Sequence, residues 1–212
     1  MHVGMRAATE LTCGQMVASR RQVGFTLIEA MIVVIIIGIT ATLAVVGYRK
    51  WVQTSHLSEA TDMVSHIRSA EEAFRAENGV TYLPVSISIG PGYDYPAPTP
   101  GAFKTGWGGP CASTQCYVTN VWQQLAVQPN GPVLFGYSVQ TNPSSEYNSS
   151  PPAFTSVPPS ITVNGASMSL SAMTGQPWYV IEADGDYFGT GSFTKVFGFT
   201  GNNQLFVSNG TQ

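Results

Sequence analysis

From Phe25 to Tyr48 the chain runs through 24 apolar or small positions broken by a single charge, Glu29. As a helix rising about 1.5 Å per residue, such a run is long enough to cross the hydrocarbon core of a bilayer. Beyond Lys50 the pattern changes. Ala60, Met63, Ile67, Ala70 and Phe74 recur at spacings of three and four, with Leu57 and Val64 widening the stripe. Ser58, Glu59, Asp62, Ser65, Arg68, Glu72 and Arg75 fill the opposite face, and Glu71 stands four residues before Arg75, the spacing of a helical ion pair. Asn78-Gly79 is a helix stop. The two patterns join into one predicted helix from Thr26 to Asn78, all-round apolar in its first half and amphipathic in its second. A coiled-coil dimer would also use that second stripe, but the repeat lasts under three heptads.

The text then becomes rich in turn residues and aromatics from Val80 to Cys116, which reads as an ordered surface loop between helix and sheet. Thr119-Asn120 can cap a short helix over Val121–Leu125. Val133–Val139, Trp178–Ala183, Phe193–Phe199 and Leu205–Val207 are β-rich and closely spaced, which predicts antiparallel pairing. Asn164-Gly165 between Ile161–Val163 and Ser167–Leu170 signals a two-residue hairpin. Thr141–Gln176, whose only charge is Glu146, reads as an insertion decorating the sheet. The expected fold is α+β: a long protruding N-terminal helix whose outer half packs on an antiparallel sheet of about four strands. The expected segments are a leader (1–24), an apolar half-helix (25–48), an amphipathic half-helix (49–79) and a β-rich head (80–212).

Composition supports that division. Charged residues make up 10% of the chain, low for a soluble domain, while 22 glycines and 14 prolines favour loops and strands. The net charge is −3, and loss of residues 1–24 would remove three arginines and Glu10, leaving it near −5. Little basic charge then remains to grip a nucleic-acid backbone, so nucleic acid is not expected as a primary partner.

Glu29 is the anomaly. An ionised carboxylate within a membrane segment costs about 2.5–3.5 kcal/mol or more, and no partner lies within the run. Arg20, Arg21 and Gly24, followed by Phe25-Thr26-Leu27-Ile28-Glu29, resemble the class III signal of type IV pilins and pseudopilins. The resemblance covers about the first third of the chain. It implies insertion in the inner membrane as a single span, with the head periplasmic. It also implies cleavage between Gly24 and Phe25 by a prepilin peptidase, N-methylation of Phe25, and extraction by an inner-membrane assembly platform into a helical filament of like subunits. In that family the new terminal ammonium meets the glutamate of a neighbouring copy, so Phe25 and Glu29 are the assembly residues. One departure is that Val46 stands where the family often has a helix-kinking proline, with Gly47 after it. The leader of 24 residues is longer than usual, and Met5 or Met16 are alternative starts.

An oxidising compartment makes a disulfide the simplest reading of Cys111 and Cys116, with Cys13 in the leader; a metal site would need two further ligands. Asp184-Gly185-Asp186, after Glu182, is the one candidate cation site, with Ca²⁺ as its ion, although Asp-Gly is also an ordinary turn and that reading is preferred. His56 and His66, ten residues apart, read as solvated helix-face side chains, and no nucleophile or phosphate-loop motif points to an enzyme. Tyr93, Tyr95, Phe103 and Trp107 suit either a contact surface or a core plug. The expected function is a structural filament subunit without a cofactor. The alternatives are a minor pilin, a type II secretion pseudopilin, or a membrane-anchored periplasmic binding module that never polymerises.

Overall fold

The computed structural model describes residues 24–79, 81–142 and 157–208. Residues 1–23, which hold Cys13 and most of the expected leader, and the middle of the Thr141–Gln176 insertion lie outside the described residues. The chain divides into two compact units between Tyr48 and Arg49.

Helix α1 spans Leu27–Asn78. Its first turn is capped by Thr26, whose Oγ1 accepts the Glu29 N–H at 3.3 Å, while the Thr26 carbonyl accepts the Ala30 N–H. Thr26-x-x-Glu29 is the spacing of a capping box, a helix-start signal that adds to the expected Thr26 boundary. The element ends as expected: Gly79 takes a φ of 88° and its N–H returns to the Arg75 carbonyl. In the first unit, the residues from Phe25 to Tyr48 are all exposed. By length and composition this is a helix able to cross a membrane.

In the second unit, α1 buries Ala60, Met63, Val64, Ile67 and Glu71, with Leu57, Ala70 and Phe74 partly buried beside them. The predicted stripe is present, with one correction. Glu71 does not pair with Arg75. It turns inward and is fully buried, its Oε2 accepting the Leu83 N–H at 2.9 Å. Arg75 instead donates to the Tyr82 hydroxyl at 2.9 Å, and that hydroxyl donates to Glu72. The intervening segment is not all surface loop either: Thr81–Ser86 is buried throughout, because its backbone is tied to the sheet by the Ser86 N–H to Val139 O bond.

Helix α2, Val121–Gln124, matches the expected turn of helix, but Asn120 makes no side-chain cap bond. Among the described residues six strands follow: β1 Gly136–Asn142, β2 Ile161–Val163, β3 Ala166–Met168, β4 Trp178–Gly185, β5 Thr194–Phe199 and β6 Asn202–Ser208. Four form an antiparallel sheet in the order β1-β4-β5-β6, and β2-β3 is the predicted hairpin, with Asn164 and Gly165 both at positive φ. A 3₁₀ turn, Ser171–Met173, leads back to β4.

Strand alternation gives the sheet two faces. Tyr179, Ile181 and Ala183 of β4, with Val196 of β5, join the core that includes the buried residues of α1. Trp178 and Val180, with Phe197 and Phe199, form a second cluster with Ile161 and Leu170 from the insertion. The described part of the insertion therefore covers the other face of the sheet. Gly198 permits the close approach of helix and sheet, since a Cβ there would lie 2.9 Å from Val64 Cγ1.

Candidate functional sites

The first site is built from the helix start. Thr26 caps the helix, Glu29 occupies its first turn, and the Glu29 carboxylate has no partner among the described residues. Phe25, Leu27 and Ile28 are exposed around it. A carboxylate at a helix N-terminus gains from the dipole, by about 0.3–1 kcal/mol on exposed helices. That falls short of the cost of burying it in an apolar setting. The geometry thus leaves an unpaired acceptor in the first helical turn, four residues after Phe25.

The aromatic question divides. Tyr95 stacks on Trp122 and meets Trp107 edge-on at 4.8 Å, and Trp107 also meets Trp122 and Tyr137. The Tyr95 hydroxyl donates to Gly109 O and accepts Gly108 N–H, and Trp107 Nε1 donates to Val127 O, so the polar tips of both are satisfied. Tyr95 is therefore core and Trp107, half-buried, packs against it. Phe103, in contrast, stands 87% exposed and Tyr93 is half-buried. Cys111 and Cys116 form the disulfide, both buried, with Cα atoms 5.9 Å apart. They close the loop whose Gln115 carbonyl accepts the Ile87 N–H. His66 is exposed, whereas His56 is half-buried with its ring 5.4 Å from that of Tyr187.

The Asp184 and Asp186 carboxylates have different partners. Both Asp186 oxygens accept backbone N–H groups, from Thr190 and Gly191, and order the loop after β4. Asp184 belongs to a polar island on the insertion-covered face of the sheet. Glu182 and Asp184 are two residues apart on β4, and Lys195 stands directly across from Asp184 on β5. The Lys195 ammonium donates to Glu182 Oε1 and lies 3.0 Å from Asp184 Oδ1. On the other side Asp184 pairs in register with Gly136 of β1. The missing side chain there admits Asp94 from the long loop, whose Cβ lies 2.6 Å from where a Gly136 Cβ would be.

Asp94 is fully buried, with the Ser138 hydroxyl and the neighbouring Asp184 carboxyl as its polar neighbours. Burial and then the Asp184 charge push it up to about 9. Burial and the same neighbour push Glu182 up to about 7, against the pull of Lys195. Three carboxyls thus share one ammonium and, at neutral pH, a retained proton. Sequence reasoning noted Glu182 and Asp184 but missed Asp94 and Lys195. The available signal was the pair of acids on one face of an otherwise apolar strand, which require a partner in the interior. A cavity of about 390 Å³ opens beside the island, walled by Ile89, Pro91, Ile161, Phe197, Glu182 and Lys195. Among the described residues, no group of three or more His, Cys, Asp or Glu side chains is placed to hold a metal ion.

Comparison with known proteins addresses the first site. Residues 19–45 match the family model described as the prokaryotic N-terminal methylation motif. A curated relative, fimbrial protein EcpC of Eikenella corrodens, is 42% identical over 59 residues, which are 28% of this chain and 39% of that protein. The chain thus matches well under half of that relative's length. No solved structure matches the chain. Residues 19–45, which take in the arginine pair and run into the apolar helix, therefore match the prokaryotic N-terminal methylation motif, the class III signal of type IV pilins, on a chain whose long helix and antiparallel four-strand sheet are pilin-like.

Proposed function

We propose that this chain is a structural subunit of a type IV pilus or related filament, held as a single span in the inner membrane before assembly. A prepilin peptidase cuts between Gly24 and Phe25 and methylates the Phe25 amine. An assembly platform then draws subunits into a fibre through their apolar half-helices, with the heads on the outside. The observation that carries this reading is the unpartnered Glu29 carboxylate in the first turn of an exposed apolar helix, five residues after Gly24. Within a single chain that charge has nothing to offset its burial. A neighbouring subunit's Phe25 ammonium supplies the partner and fixes the axial register at the same time. The name of the fimbrial relative and the match over residues 19–45 support the same reading.

The test separates processing from assembly. Glu29→Gln keeps size and capping geometry but removes the charge. Leader removal should proceed at near wild-type extent, while sheared filament falls to a small fraction. Normal filament yield from Glu29→Gln would refute the pairing role. The head carries an insertion over its second face beyond what a helix-and-sheet lattice requires, which favours a minor pilin or pseudopilin as the second reading. The abundance of the chain in sheared filaments decides between them.

A further inference from the structure

The island on the head has a geometry that an ordinary ion pair does not require. Lys195 and Asp184 are cross-strand partners in register, with the amine nitrogen 3.0 Å from the carboxyl oxygen. The Asp184 side chain is wholly inaccessible and that of Glu182 only 4% exposed, while Lys195 retains 28%. A second buried acid, Asp94, is brought to Asp184 over the gap left by Gly136. A nucleophile, an acyl group, a proton acceptor and a proton donor thus meet in one place, with all three acids buried and the amine at its rim. We infer that Lys195 and Asp184 condense after folding into an intramolecular amide, tying β4 to β5, with Glu182 and Asp94 as the proton-transfer groups.

The step balances with no other reactant. At rest Lys195 is an ammonium held by Asp184 and Glu182, which raise its pKa. In the reactive form one proton has moved to Glu182, whose carboxyl titrates near neutrality. The free amine attacks Cγ of Asp184 while Asp94 gives its proton to one Asp184 oxygen, and the C–N bond forms. The nitrogen then returns a proton to Asp94. The C–O bond breaks as Glu182 delivers its proton to the departing hydroxyl, and water leaves. Glu182 and Asp94 end as they began.

Amide formation from free acids and amines is opposed by bulk water. Groups held at reacting distance behave as if at effective concentrations of about 10⁵–10⁸ M, which lowers the barrier to bond formation, and the burial of the Asp184 carboxyl keeps bulk water from the acyl side of the bond. The reaction is needed only once per molecule, so a slow rate suffices. The product would hold the hairpin through which β5 and β6 continue the sheet.

Intact mass spectrometry of the full chain, extracted from membranes in detergent, tests this directly. Expected is a species about 18 Da lighter than the disulfide-bonded sequence, the mass of one water lost on forming a covalent bond. Trypsin should fail to cut after Lys195, and fragmentation should place a branch between Lys195 and Asp184. Lys195→Arg keeps the positive charge but not the nucleophile and should show the unshifted mass. Asp94→Asn, which keeps the side chain's shape, should slow the loss at least tenfold in newly folded protein. Asp184-Gly185 can also lose water by forming a cyclic imide on the backbone. That product is linear, persists in Lys195→Arg and opens with hydroxylamine. Finding it in place of the branch, a bond to Glu182 instead, or no mass loss at all, would overturn the proposal.

Discussion

Asp94 makes the head's stability depend on pH in a defined direction. It is wholly buried, and burial is the first cause of its rise to about 9. An aspartate in the unfolded chain titrates near 4. Between those values the folded head keeps a proton that the unfolded chain has released, so stability is fully present below about pH 4 and is lost as pH rises towards 9. Glu182, at about 7, steepens the lower part of that fall. The melting temperature of the head should therefore be lower at pH 9 than at pH 6. Asp94→Asn, which stays neutral, should flatten the difference. An unchanged slope in Asp94→Asn would place the pH dependence elsewhere. Glu71, fully buried in α1 with its pKa raised chiefly by burial, acts in the same direction and is untouched by that substitution.

At the scale of elements, the fit of α1 on the sheet depends on Gly198. A methyl group there would meet Val64 Cγ1 at 2.9 Å and the Arg68 guanidinium at 3.1 Å. Val64 is fully buried, and Arg68 is committed to the Asn203 carbonyl of β6, so neither yields freely. Gly198→Ala should cost about 1–3 kcal/mol of head stability, the usual range for overpacking, read by denaturant unfolding. A neutral result would mean that helix and sheet separate without strain. This contact marks the limit of what periodicity reveals. The stripe Ala60, Met63, Ile67 was legible because solvent and core alternate at 3.6 residues. The Asn164-Gly165 hairpin was legible because its turn demands positive φ. Glu71 was not, since its partner, the Leu83 N–H, belongs to a loop segment whose burial no pattern announces. The Thr26 cap was legible in the Thr26-x-x-Glu29 spacing, although only the Glu29 N–H and not its carboxylate takes part.

For the whole molecule, the motif over residues 19–45 was legible and the buried island was not, for a physical reason. The methylation motif is contiguous, so its address, its span and its glutamate are read in a single line of 27 residues. The Asp94, Glu182, Asp184 and Lys195 island is assembled from a loop and two strands, and only the register of β4 with β1 and β5 brings its members together. The same division governs function. In the proposed function the apolar half-helix would carry anchoring and assembly, which require one charge in one place. The head has its own core, disulfide and buried ionic cluster, which hold its folded form. The central claim is that the chain is processed at Gly24 to expose Phe25 as the residue that meets Glu29. Mass spectrometry of the mature N-terminus tests it most directly. An N-terminal peptide beginning with N-methylated Phe25 is the expected result, and an intact leader, or a terminus at any other residue, would contradict it.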